Sequence, residues 1–314
     1  MKKERQELIK RLEELTGCDV YILFTASGEQ EYSVAYDFLP LFTESIFIRR
    51  KQRRENAILI FETNGGDPTV AMAIVKQLRE NYTKIFGYAF NRCFSAGTVA
   101  MLATDEIYMS RYALFTPIDL QCFITDEANY KPVIANYNAF VDRVPGDRER
   151  EFATMYPAEY LTAIRTIRYS LQTMYPNFEK HCKPSMRDVT WDYLNGGAGL
   201  HSCKISRTQA IKDLGLKIKV IPDEIEEILY NIVESYIKST NMLIDSLDET
   251  EVKDAYFETL DLTYVHYAKY QQEVREEKKN KDEKEADADS TKEISKKPIV
   301  EDKYCIEVGW KREE

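Results

Sequence analysis

The chain has 314 residues, 44% hydrophobic and 31% charged, a balance typical of soluble globular proteins and too apolar for a disordered one. At about 150 residues per domain it has room for one large or two modest domains and a sizeable core. Its 43 Lys and Arg face 53 Asp and Glu, a net charge of -10, so neither nucleic acid nor an anionic membrane is an expected partner.

In chain order, Lys2 to Leu15 carries Leu8, Ile9, Leu12 and Leu15 at helical spacing before a stop at Thr16-Gly17. This start mixes charges and lacks the apolar stretch of a secretion signal, and no window approaches the roughly 18 apolar residues that cross a bilayer. The expectation is a cytoplasmic protein without stable membrane insertion. The cysteines Cys18, Cys93, Cys122, Cys182, Cys203 and Cys305 are scattered without paired spacing, which suits reduced thiols. Asp19 to Phe24 reads as a buried strand and Phe38 to Arg54 as a helix whose basic end (Arg49, Arg50, Lys51, Arg53, Arg54) is expected to be solvated and to face the helix dipole.

Ala57-Ile-Leu-Ile-Phe61 is an apolar run of the kind covered on both faces of a parallel sheet, and Gly65-Gly66 ends it. Asp67-Pro68 then supplies an N-cap and a proline at the first helical position, followed by a stripe at Ala71, Ile74, Val75 and Leu78. The pattern repeats with a strand over 84–90, a loop, a small-residue helix from Ser95 to Ala103 and a strand at 107–109. Strand and helix alternating at this interval predict a parallel α/β core. Beyond Asp119 the pattern turns helical, over Tyr160 to Met174 and again along Ile225, Ile228, Leu229, Ile232, Val233, Tyr236 and Ile237. Between Glu276 and Pro298 seven residues are positive and eight negative, too polar to offset ordering entropy by burial. Lys303 to Trp310 reads as a strand able to dock on a sheet edge in this chain or a neighbour. The expected organisation is an N-terminal helix (1–18), an α/β domain (19–222), a helical region (223–272), a charged linker (273–298) and a strand-like segment (299–314).

In an open parallel sheet, strand carboxyl ends lie side by side and form the usual ligand crevice. The diglycine after one strand and Ser95 after the next both sit at such ends. The N–H of Gly66 or Asp67 on one loop and of Ala96 in the first turn of the other helix then make an expected oxyanion hole beside a hydroxyl nucleophile.

The segments Ile58-Leu-Ile-Phe-Glu-Thr-Asn-Gly-Gly66, Phe94-Ser-Ala-Gly-Thr98, Ala103-Thr-Asp-Glu-Ile-Tyr-Met109 and Thr116-Pro-Ile-Asp-Leu-Gln121 together resemble the serine dehydrogenase proteinase family. That family belongs to the Clp protease and crotonase fold superfamily and is similar to signal peptide peptidase A. A weaker likeness continues from Leu194 to Lys217, through His201 and Gln209-Ala-Ile-Lys-Asp-Leu-Gly-Leu216. The resemblance implies an α/β fold of the Clp protease/crotonase type, built of repeated strand-strand-helix units. It further implies a serine peptidase with Ser95 as nucleophile, Gly65-Gly66 as oxyanion turn, and assembly into rings or stacked multimers. Two positions depart from the family's pattern: Asn64 stands where proline is usual before the glycines, and Ala96 where a second glycine commonly follows the serine.

A serine hydroxyl needs a base. The proteolytic subunit of Clp places its histidine soon after the nucleophile, but here that stretch reads Phe115-Thr-Pro-Ile-Asp119. His201, matching a family histidine after a glycine-rich turn, is the first candidate. Lys131 is the second, in the manner of signal peptide peptidase A, and Asp119 is a candidate to orient a base or simply to cap a turn. His181-Cys182 with His201 and Cys203 lacks metal-ligand spacing, Gly196-Gly-Ala-Gly199 departs from a dinucleotide loop, and Cys93 reads as a buried thiol rather than a reactive one. No metal or cofactor is expected. The function expected is a peptidase acting on peptide or protein as a homo-oligomer with the Ile225–Ile237 stripe as an interface. The alternatives are a catalytically degenerate scaffold of the same fold and a crotonase-type acyl-CoA enzyme.

Overall fold

Strand β1 (Cys18–Thr25) is buried at every position and β2 (Asn56–Glu62) at all but its first, so the sheet they found is covered on both faces. Side chains alternate between them: Val20, Ile22, Phe24, Ile58 and Ile60 join one apolar cluster, Tyr21, Leu23, Leu59 and Phe61 the other, as a pleat of period two requires. The structure, a computed structural model, describes residues 2–25, 33–118, 121–125, 132–136, 154, 157–197, 202–240, 244–245, 249–274 and 300–313.

Helix α1 (Lys2–Thr16) precedes β1, α2 (Phe38–Arg49) leads to β2, and α3 (Pro68–Arg79) to β3 (Lys84–Ala89). A two-residue strand β4 (Arg92–Cys93) then feeds α4 (Ala96–Ala103) and β5 (Glu106–Met109), the strand-strand-helix unit expected from the sequence. Next come β6 (Leu114–Phe115), β7 (Gln121–Thr125), β8 (Pro132–Asn136), α5 (Pro157–His181), α6 (Arg187–Asp192), β9 (Ile205–Ser206), α7 (Arg207–Lys212) and β10 (Ile218–Val220). The chain closes with α8 (Asp223–Thr240), β11 (Ile244–Asp245), β12 (Glu249–Glu258), β13 (Thr263–Val274) and β14 (Val300–Arg312).

The main sheet runs β10-β5-β3-β2-β1-β12-β13-β14, with β11 on β12. It is parallel from β10 to β1 and antiparallel from β1 to β14. Helices α2, α3, α4 and α5 contribute to the cluster on one face, and α1 and α8 to the cluster on the other. A small sheet, β4-β6-β9, stands beside the carboxyl ends of the central strands. The α/β class read from the sequence is therefore the observed one. Asp67 caps α3 as its sequence indicates, its carboxylate accepting the Thr69 N–H at 2.7 Å.

The region 223–272 is helical only as far as Thr240. Beyond it the described residues form β11, β12 and β13, where Ala255 and Phe257 face one cluster and Tyr256 and Val265 the other. Aromatic and β-branched residues fill both faces of these strands, which hides the alternation that usually betrays one. The α8 stripe is also not a free surface: Ile228, Leu229, Ile232, Val233 and Tyr236 are buried within this chain, with α1 and the sheet. Nor is Arg49 solvated. It is 7% exposed and donates to Asp19 at 2.8 Å, to Glu13 and to Asp261 at 3.1 Å. The terminal strand docks on β13 of its own chain, whereas residues 275–298 of the expected linker lie outside the described residues. Among the described residues no helix is long and apolar enough to cross a membrane.

Polar brackets close the layers. Arg5 of α1 is buried, donates to Glu258 at 2.7 Å and lies over the rings of Tyr236 and Tyr256. His181, ending α5, meets the Thr104 carbonyl at 2.8 Å, and burial pushes its imidazole pKa down. A depressed native pKa means the folded state binds fewer protons than the unfolded state as pH falls below about 6.5, so stability is lost there. The melting temperature between pH 7.5 and 5.5 should fall more steeply for the wild type than for His181→Gln, whose amide can still donate to Thr104. Parallel curves would assign the acid sensitivity elsewhere.

Candidate active site

Ser95 is the residue on which the site is built. It lies between β4 and α4 with φ 49° and ψ -107°, the first corner of a type II′ turn, closed by the Gly97 N–H donating to the Phe94 carbonyl at 2.8 Å. Glycine is the usual occupant of that corner, and Ser95 is the only described non-glycine residue with positive φ. Holding it there costs about 1–3 kcal/mol. The geometry is a sharp strand-to-helix turn of the kind that nucleophile elbows use.

The surroundings enforce it. The Ser95 N–H donates to Thr116 Oγ1 at 2.7 Å, and the Thr98 hydroxyl donates to the carbonyls of Cys93 at 2.9 Å and Thr116 at 3.0 Å. Thr116-Pro117, read from the sequence only as part of a motif, is thus the anchor of the turn. Gly97 packs where a Cβ would lie 3.0 Å from Cys93 Sγ. Cys93 is wholly buried and its thiol is pushed well up by burial, which makes it a packing residue.

The diglycine turn faces Ser95. A Cβ on Gly65 would lie 3.0 Å from Ser95 Cβ and 3.6 Å from its Oγ, so the missing side chain is the space beside the hydroxyl. Gly65 does not serve as a donor, because its N–H is spent on Thr63 Oγ1 at 3.1 Å. Asp67 is excluded too, its N–H donating to Val34 at 2.8 Å. The Gly65 carbonyl accepts from Val34 N–H at 2.8 Å, and in a trans peptide the next N–H points the opposite way. Gly66 N–H is therefore directed away from Val34 and makes no hydrogen bond among the described residues. Ala96 N–H, in the first turn of α4, has no intrahelical partner either. Of the residues expected from the sequence, the structure sets the diglycine turn against Ser95, at the start of α4.

Of the expected bases, His201 and Lys131 lie outside the described residues, as does Asp119. The two other histidines are engaged elsewhere. His181 bonds Thr104 at the opposite end of α4, nine residues or about 13.5 Å along the helix from Ser95, and His266 pairs with Asp254 at 2.6 Å. Cys182 Sγ contacts the Leu214 carbonyl at 3.6 Å and Cys203 Sγ lies 3.4 Å from the Tyr193 hydroxyl. Tyr193–Gly197 of the glycine-rich segment is a π-helical turn after α6.

Three residues at the site escaped sequence reading. Lys204 places Nζ 3.4 Å from the centroid of the Phe94 ring, and burial, then Arg92, lower its ammonium pKa. Glu62, at the end of β2, is 1% exposed and accepts from Arg92 Nε at 3.0 Å. Burial pushes the Glu62 carboxyl up to about 7 against the opposing pull of Arg92 and the amides of Arg92 and Asn91. Only the adjacency of Lys204 to the His201 motif marked it in the sequence, and nothing marked the pair.

No family model matches the chain and no curated protein is similar to it. Among solved structures, the 1510-N membrane protease specific for a stomatin homolog from Pyrococcus horikoshii is 13% identical, with a TM-score of 0.34 over 67% of this chain and 75% of that one. The ClpP protease catalytic domain from Plasmodium falciparum is 9% identical at 0.38, over 61% of this chain and 82% of its own. ClpP1 from Listeria monocytogenes is 8% identical at 0.38, over 68% and 96%. At these values the superpositions are partial and assign this chain neither a substrate nor a mechanism.

The strain at Ser95 is measurable. Ser95→Gly should be more stable than Ser95→Ala by about 1 kcal/mol in urea unfolding, because alanine keeps the positive-φ penalty and glycine sheds it. At Gly66, with φ 136°, a Cβ would fall 2.4 Å from both Val34 N and Val34 O, so Gly66→Ala should destabilise the fold by about 2–3 kcal/mol or more. Equal stabilities in either comparison would contradict the turn geometry.

Proposed function

We propose that the chain is a serine peptidase of the Clp protease and crotonase fold superfamily, with Ser95 as nucleophile and the Gly66 and Ala96 amides as oxyanion hole. The observation that carries this reading is the diglycine turn packed against a positive-φ Ser95, with the Gly66 and Ala96 N–H groups left without partners among the described residues. Such an arrangement suits acyl transfer, where negative charge develops on one oxygen.

In the proposed reaction the Ser95 oxygen bonds to the carbonyl carbon of a peptide while its proton passes to a base. The carbonyl electron pair moves to the oxygen, which Gly66 and Ala96 hold and the α4 dipole favours. Collapse breaks the C–N bond, the base returns the proton to the leaving amine, and water then releases the acyl group by the same steps. His201 and Lys131 are the bases proposed from the sequence. Lys204 joins them because an ammonium with a lowered pKa, resting on the residue before the nucleophile, is easier to hold neutral. The proposed substrate is peptide or protein, with a homo-oligomer as the working form.

A fluorophosphonate probe followed by peptide mass spectrometry should place the adduct on Ser95 and nowhere in Ser95→Ala. Absence of label, with a control hydrolase labelled, would overturn the hydrolase reading; stabilisation by coenzyme A in a thermal shift would then favour the acyl-CoA alternative. Among His201→Gln, Lys131→Met and Lys204→Met, the variant lacking the true base should label about 10²–10⁴-fold more slowly. A base that must be neutral also makes the wild-type rate rise with pH through that group's pKa.

A further inference from the structure

The N–H of Gly66 is useful only if its direction is fixed, and Gly66 belongs to a turn whose own φ values, 129° at Gly65 and 136° at Gly66, are open to glycine's full freedom. Val34 restrains the turn from one side through the Gly65 carbonyl and the Asp67 N–H. The other side is held by side chains. Arg92 Nη1 donates to Asn64 Oδ1 at 3.1 Å, its Nη2 to the Thr25 carbonyl at 3.1 Å and its Nε to Glu62 at 3.0 Å. The Glu62 carboxylate also accepts the backbone N–H groups of Asn91 and Arg92 at 3.1 Å. A single guanidinium thus joins the carboxyl ends of β1 and β2 to the strand that delivers Ser95.

We propose that Asn64, Arg92 and Glu62 are positioning residues that lock the diglycine turn to the nucleophile loop and so set the aim of the Gly66 amide at the oxygen bound beside Ser95. This rests on the peptidase reading for its chemistry, but not for its geometry. The fork of arginine matters: three donors leave one planar group in three directions, which a lysine cannot reproduce. Asn64 is the link nearest the hole, one residue before Gly65, and its carbonyl oxygen is what the fork grips. Glu62 holds the fork in plane and offsets its charge in a buried place.

The experiment compares wild type, Asn64→Ala, Asn64→Asp and Arg92→Lys. The first readout is the fluorophosphonate labelling rate at saturating probe together with the probe concentration giving half that rate; the second is the Gly66 amide resonance in proteins that also carry Ser95→Ala. Asn64→Ala and Arg92→Lys should lower the saturating rate by about tenfold or more, a fraction of the loss from deleting a whole oxyanion donor. The half-saturating concentration should change less than twofold. Asn64→Asp, whose carboxylate can still accept from Arg92, should recover most of the rate. The Gly66 amide should broaden or split in Asn64→Ala and Arg92→Lys and stay single in Asn64→Asp. Labelling of Asn64→Ala at the wild-type rate with an unchanged Gly66 resonance would overturn the proposal. If wild type itself takes no label on Ser95, the peptidase reading fails, and the Gly66 resonance alone decides whether the lock exists.

Discussion

A positive φ at one serine is the constraint around which this end of the molecule is arranged. L-residues avoid that conformation because Cβ crowds the neighbouring carbonyl, so Ser95 stays there only because the surroundings overdetermine it. Its N–H is held by Thr116, the turn is closed by Gly97, and Thr98 ties the start of α4 to both flanking strands. Each is a short, directional bond to backbone or hydroxyl, and each comes from an element whose placement the parallel sheet dictates. The strained residue is also the one against which the diglycine turn packs, and functional sites commonly show strain of this kind.

Burying charge near that turn carries its own cost. Glu62 has no solvent to support its carboxylate, and its pKa near 7 reflects a balance between desolvation and the donors of Asn91 and Arg92. A hydrophobic pair of similar volume would stabilise such a spot as well or better, so the pair is better understood through direction than through stability. It converts the loose diglycine segment into one with a fixed peptide plane. Proline before the glycines would restrict φ by its ring; Asn64 lacks that restriction and takes a side-chain bond to Arg92 instead.

What the residues disclosed, and what they hid, follows from range. Ala57 to Phe61, Asp67-Pro68 and the α3 stripe carry local signals of run length, cap and period, and each formed as read. The strands β4, β6 and β9 are two residues long and have no period to detect. The β12–β13 pair was read as helix because its core residues serve both faces of the sheet. The lock could not be read because Glu62 and Arg92 stand 30 residues apart and meet only through the pairing of strand ends. The motifs pointed to two turns that do lie against each other, at Ser95 and at Gly65-Gly66, but the Gly65 N–H they offered as a donor is taken up by Thr63 Oγ1. Charge balance said nothing about Arg5 or Arg49, whose carboxylate partners come from distant strands and helices.

The far end of the chain reaches back to the same turn. β14 is the last strand in sequence and the outermost in the sheet, and a strand so placed could be ornamental. Its Trp310, however, donates Nε1–H to Asp37 at 2.8 Å and packs edge-on against Phe38, with ring centroids 4.8 Å apart. Asp37 and Phe38 open α2, three and four residues after the Val34 that grips Gly65 and Asp67. His266, paired with Asp254, lies against the same indole at 5.2 Å. The segment that restrains the diglycine turn on one side is therefore itself braced by the C-terminal strand, while the Arg92 fork restrains the other. A turn with glycine's freedom acquires one conformation because elements from the first and last parts of the sequence close on it from opposite sides.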